Sequence, residues 1–191
     1  MLSAQLRELI RPLVVIQQVI WVVITGSIVF YCVIIYLLIA DRDSDSASMS
    51  GGLKIALYAL AILAACASLY LGKYFLSDWG LRRFLGKEIN IEELARDPGK
   101  DSPDSKKLER LGSLSGFEQK IFSLMYYLQK VTFINLFLNE IILIIGFVLA
   151  FLSGDPSKII PFGAVSLLLC IWMYPRSGKI TERTRQLYSV K

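Results

Sequence analysis

Long apolar runs alternate with charged segments along this chain. The first run, Leu13 to Ala40, is 28 residues without a charge. At about 1.5 Å per helical residue it exceeds the roughly 30 Å of a bilayer core, with length left over for tilt. Further runs extend from Ile55 to Gly72, from Val131 to Leu152 with the single acid Glu140, and from Ile159 to Pro175, the shortest. None alternates polar and apolar residues as a barrel strand does. Only helices and closed barrels satisfy their backbones in lipid. The pattern therefore predicts an all-α polytopic membrane protein. Its single membrane domain has four transmembrane helices in a bundle, with spans near 13–40, 55–72, 131–152 and 159–175.

Between the second and third runs, residues 77–116 read as a partly helical, partly irregular soluble loop. Asn90 opens a short helix through Leu94 and Arg96, and Ser105 is placed to cap Lys106 to Arg110. The stretch Asp97 to Asp104 between them carries two prolines and a glycine, marking a solvated linker. Its aspartates lack the spacing of an EF-hand, so no metal site is expected. Ser115-Gly116-Phe117-Glu118 matches a capping box. After it, Phe117, Ile121, Leu124, Met125 and Leu128 recur at helical spacing. An amphipathic helix over 116–130 follows, either interfacial or continuous with the third span.

Composition sharpens this picture. Of 191 residues 54% are hydrophobic, yet 21 are basic and 16 acidic. That combination reflects segregation of charge from apolar blocks. The segments before span one, between spans two and three, and after span four hold 2, 11 and 5 of the basic residues, and only Arg42, Lys54 and Lys158 lie elsewhere. Lysine and arginine accumulate in cytoplasmic loops. Both termini and the long loop are thus expected in the cytoplasm of a cell with this chain in its plasma or inner membrane, and the acidic segment Asp41 to Asp45 outside. Arg7 and Arg11 before an apolar stretch resemble a secretory signal, but the stretch is about twice as long as a signal core. The net charge of +5 is accounted for by this asymmetry and by anionic lipid, so no nucleic-acid partner is expected. Trp79, Tyr74, Trp172 and Tyr174 sit where an aromatic belt would lie.

Candidate chemistry is sparse. There is no histidine, which removes the commonest general base near neutral pH. Cys32, Cys66 and Cys170 all lie in apolar runs and read as small apolar residues. At about 100° per residue, Thr132, Asn135, Asn139, Gly146, Ala150 and Ser153 share one narrow face of span three. Small and polar residues of this kind are what close helix contact in lipid uses. Span two offers Ala61, Ala65, Ser68 and Gly72, and span one offers Gln18, Thr25, Cys32 and Tyr36. Glu140 lies near the middle of span three, about 100° from that face. A carboxyl at this depth is expected to be protonated, paired or beside water. No lysine or arginine sits at matching depth, so its expected partners are the polar groups of Asn135, Asn139, Thr25, Tyr31 or Ser166, or a second copy of the chain.

Leu138-Asn139-Glu140, followed by Gly146, Val148 and Ala150, resembles the carboxylate-bearing helix of the proton-carrying ring subunit of rotary ATP synthases. The resemblance covers some 13 residues and implies that Glu140 binds and releases a proton or sodium ion. Elsewhere the chain departs from that family: span two is alanine-rich without repeated glycines, the loop is about forty residues long, and two further spans are present. No catalytic constellation is visible and no cofactor is implied. The leading expectation is a non-enzymatic subunit, scaffold or assembly component. Its loop and C-terminal tail would meet cytoplasmic proteins. A proton- or cation-handling element built on Glu140 is the alternative.

Overall fold

The computed structural model describes residues 3–40, 50–86, 88–96, 102–174 and 177–189. Among these the chain is all-helical, 89% helix with no strand. The helices are α1 (Ala4–Ala40), α2 (Gly51–Leu76), α3 (Asp78–Leu85), α4 (Ile91–Ala95), α5 (Ser105–Gly112), α6 (Gly116–Ser153), α7 (Ile159–Trp172) and α8 (Ser177–Ser189). A 3₁₀ turn, Pro156–Lys158, leads into α7. The acidic segment 41–45, linker residues 97–101 and Pro175 fall outside the described residues. Three helices, α1, α2 and α6, are long and apolar enough to cross a membrane. The apolar α7 has 14 residues and spans about 21 Å by itself.

The chain divides into two compact units. One comprises Met1–Gln17, Tyr74–Val131 and Pro175–Lys191, and the other Gln18–Lys73 and Thr132–Tyr174.

The first unit is built from capped helices around an apolar core. Asn90 Oδ1 accepts from the backbone N–H groups of Glu92 and Glu93, opening α4. The cap of α5 is Asp104, whose carboxylate accepts from Lys106 N, and the expected cap Ser105 is instead the first helical residue. An aspartate one position earlier offers the stronger acceptor to the same orphan donors. The α4–α5 corner is closed by Asp104 N–H donating to Ala95 O at 3.1 Å. At the start of α6 the capping box forms in both directions: Glu118 N–H donates to Ser115 Oγ, and Ser115 N–H donates to the Glu118 carboxylate.

From there α6 runs unbroken for 38 residues. Of the two positions the sequence left open for 116–130, interfacial or continuous with the third run, the helix is continuous, and its apolar face packs against other helices of this unit. Ile121, Phe122 and Met125 pack with Leu6 of α1, Leu94 of α4 and Leu111 of α5, while Leu124 and Leu128 pack with Leu81 of α3. Leu6 is fully buried, so the first turns of α1 belong to this core. Two elements had no clear pattern in the sequence. Helix α3 is capped by Ser77, which accepts from Gly80 N–H at 3.1 Å, and its last turn is closed by Lys120 Nζ donating to Leu85 O at 2.8 Å. Helix α8 is held by Arg183 Nε donating to Asp78 Oδ1 at 2.6 Å and by Ile180 packing into the core.

In the second unit α6 is the common neighbour. Ile28 and Ile35 of α1 cluster with Leu136, Leu143 and Ala150. Ala61 and Ala64 of α2 cluster with Ile142, Ile145 and Leu149, and with Phe162 and Leu169 of α7. The α6–α7 turn is a Schellman closure: Gly154 adopts φ 64°, and Asp155 N–H reaches Ala150 O at 3.2 Å. Asp155 then caps the 3₁₀ turn through Ser157 N–H.

Glu118 also accepts the backbone N–H of Ser3 at 2.8 Å. The bonds from Ser3, then those from Ser115, favour the ionised carboxylate and lower its pKa from 4.5 to about 2. A carboxyl with a depressed folded pKa stabilises the fold above its unfolded pKa and loses that contribution as pH falls toward the folded value. A spin label at the exposed Ala4 should therefore gain mobility between pH 4.5 and 2. In Glu118→Gln the label should already be mobile at pH 7 and change little across that window.

Candidate functional site

Two polar arrangements lie in the second unit, on adjacent residues of α6. Consecutive positions on a helix point about 100° apart, so Asn139 and Glu140 serve different neighbours.

Asn139 is fully buried. Its Oδ1 accepts the Ser68 hydroxyl of α2 at 3.0 Å. Its Nδ2 donates to the Cys170 sulfur of α7 at 3.6 Å, and its backbone carbonyl accepts the Ser166 hydroxyl of α7 at 3.0 Å. One residue thus joins three helices. One turn earlier, the buried Asn135 donates to Met173 Sδ at 3.8 Å, and its Oδ1 has no hydrogen-bond partner among the described residues. Thr25 lies beside the Cys170 thiol, and its buried Oγ1 has no hydrogen-bond partner among the described residues. The Cys170 carbonyl accepts the Trp21 indole N–H at 2.7 Å, and the Trp21 ring stands edge-on to Tyr174.

Small residues permit this closeness. A Cβ on Gly146 would sit 2.5 Å from Phe162 Cβ, and one on Gly72 would sit 2.5 Å from the Trp172 ring. Ala150 and Ala61 are buried and Ala65 is half-buried against the same helices.

Glu140 is half-buried and meets Ser27 of α1: Ser27 Oγ lies 2.9 and 3.1 Å from the two carboxyl oxygens. Ser27 Oγ also lies 2.7 Å from the Ile24 carbonyl. A hydroxyl has one proton to give. A protonated Glu140 completes a chain in which the carboxyl donates to Ser27 and Ser27 donates to Ile24. An ionised Glu140 takes the Ser27 proton for itself.

Among the described residues the hydroxyl within hydrogen-bond distance of Glu140 is that of Ser27, and no such bond joins it to Asn135, Asn139, Thr25, Tyr31 or Ser166. Asn139 and Ser166 belong to the α2–α6–α7 arrangement, and Tyr31 turns its ring onto Phe147 at 5.6 Å. Ser27 and Glu140 each fall near the middle of an apolar run, and that shared depth was the available signal. Thr25 and Tyr31 share it too, and only helix rotation separates the three. Cys170 acts as an acceptor, a role its apolar surroundings in the sequence did not suggest.

No protein-family model matches the chain, and no curated protein or solved structure matches it.

A double-mutant cycle of Ser68→Ala and Asn139→Ala, read by reversible unfolding in detergent, should return a coupling of about 0.6 kcal/mol and no more than about 1.7 kcal/mol, the average and upper bound for hydrogen bonds between helices in lipid. Gly146→Leu should cost more than either single change, because Phe162 cannot move away without opening the α6–α7 contact.

Proposed function

We propose that this chain is a small, non-catalytic integral component of the cell membrane, a subunit, scaffold or assembly factor. It crosses the bilayer four times, with both ends and residues 77–116 in the cytoplasm. One observation carries the membrane reading. In the most apolar stretch of α1 only 11% of residues are buried, and in that of α2 only 22%. Val22, Val23, Val29, Phe30, Leu37, Ile55, Ile62 and Leu63 are all largely exposed. Apolar surface on this scale needs lipid or a partner. The fourth span is α7 with its 3₁₀ turn, about 27 Å together. That is slightly short of the hydrocarbon thickness, a mismatch local thinning accommodates. Direction rests on the distribution of lysine and arginine. The partner-binding role rests on the first unit, a folded body of capped helices that holds most of the chain's charge.

Cysteines introduced singly at Asp45 and Ser105, with the native three replaced, should label from opposite sides of the membrane. Labelling from one side only would overturn the topology. Purification in mild detergent should return stoichiometric protein partners. A solitary monomer would count against the subunit reading.

The Ser27 contact supports a structural part for Glu140, since the hydroxyl it meets is already engaged with a backbone carbonyl. Glutamine at 140 can still donate to Ser27, whereas leucine cannot. Glu140→Gln should therefore keep assembly and proton permeability in liposomes unchanged, and Glu140→Leu should lower stability. If Glu140→Gln instead abolishes a proton or sodium flux while assembly is intact, the ion-handling reading replaces this one.

A further inference from the structure

The first unit contains a cavity of about 730 Å³ whose wall combines three arginines with apolar side chains. Arg7 and Arg11 come from one face of α1, a turn apart, and Arg185 comes from α8. The next turn of the same α1 face adds Val14 and Val15, and Phe117 of α6 lines the cavity with them. The first turn of α6 is part of the wall, and the start of a 38-residue helix carries partial positive charge.

The ion pairs among the described residues are Lys158 with Asp155 and Arg183 with Asp78, and neither includes Arg7, Arg11 or Arg185. Two acids also line the cavity, Glu118 and Glu182. The Glu118 carboxylate accepts hydrogen bonds from Ser3 and Ser115, Glu182 is exposed as the three arginines are, and three arginines against two carboxylates leave the wall with a positive excess. Three guanidinium groups around one cavity match the oxygens of a phosphate, which arginine binds in bidentate fashion. The valines belong to the uncharged stretch that begins at Leu13. A free phosphate would leave that apolar wall unused, whereas a phospholipid has carbon chains to lay against it.

We propose that this cavity binds the headgroup of an anionic phospholipid, with the phosphodiester on Arg7, Arg11 and Arg185 and the first acyl carbons on Val14, Val15 and Phe117. The proposal rests on the reading that the stretch from Leu13 enters the bilayer. On that reading Arg7 and Arg11 stand at the cytoplasmic surface, where anionic lipids are concentrated.

The full chain in an uncharged detergent tests it. Thermal unfolding is followed while short-chain phosphatidylglycerol, phosphatidylcholine of the same chain length, or inorganic phosphate is added. Phosphatidylglycerol should raise the melting temperature in a saturable way, and the other two should not at equal concentration. Arg11→Gln and Arg185→Gln should each weaken the apparent affinity about tenfold, the loss of one charge-assisted contact. Lys106→Gln, at an exposed site on α5, should leave it unchanged. The two arginines lie on different helices, so one variant suffices if the other fails to fold. An equal response to phosphatidylcholine would reduce the effect to acyl contact and overturn the proposal. So would an equal response to phosphate, which marks a free-phosphate site, or an affinity unaltered in the arginine variants. If the chain stays dispersed without detergent, the membrane reading itself fails. If it needs detergent yet shows no preference for phosphatidylglycerol, only the lipid site fails.

Discussion

The packing of the apolar helices in the second unit turns on the Asn139 carboxamide. A buried amide left without partners costs about 1 to 3 kcal/mol, and in surroundings this apolar few groups can satisfy it. Ser68 and Cys170 do so from two other helices, and Ser166 adds a bond to the Asn139 backbone carbonyl. On the membrane reading proposed above, hydrophobic contact between such helices is nearly indifferent to rotation, because lipid tails are as apolar as leucine. A polar group with fixed partners is not indifferent. It sets which faces of α2, α6 and α7 meet, and Gly146 and Gly72 then let them approach until Phe162 and Trp172 occupy the space a side chain would have filled.

The first unit is held by a different physics. Helices α3, α4, α5 and α8 are short and charged, and the unit gains its stability from caps and from a core shared among α1, α4, α5 and α6. Leu6, Leu111, Ile121 and Phe122 are almost wholly removed from solvent, as in a water-soluble domain. Each burial of this kind is worth about 1.5 to 3 kcal/mol. Glu118 links several of these elements, closing the α6 capping box while holding the backbone of Ser3. A carboxylate engaged in this way is ionised throughout the physiological range.

Glu140 shows how little a rare residue type says about function by its presence alone. An acid in a membrane helix attracts attention because ionising it there is costly. Here its carboxyl meets the Ser27 hydroxyl, which also lies near the Ile24 carbonyl, so a protonated Glu140 completes a short hydrogen-bonded chain between α1 and α6.

The apolar runs, the all-helical class, the Ser115–Glu118 capping box and the small-residue face of α6 could all be read from the sequence. Each depends on residues close together along the chain, or on the fixed period of a helix. The opening of α4 at Asn90 was legible for the same reason. What the sequence left open is what depends on rotation and on distant partners. Ser27 and Thr25 sit at nearly the same depth, and only the azimuth of α1 selects Ser27 for Glu140. Helices α3 and α8 have weak patterns of their own and are held by Asp78 with Arg183 and by Ile180, pairings that span about a hundred residues. The amphipathic face of 116–130 has the same pattern whether it meets lipid or protein, since both bury apolar side chains. Only the tertiary structure showed that Leu6, Leu94 and Leu111 are what covers it.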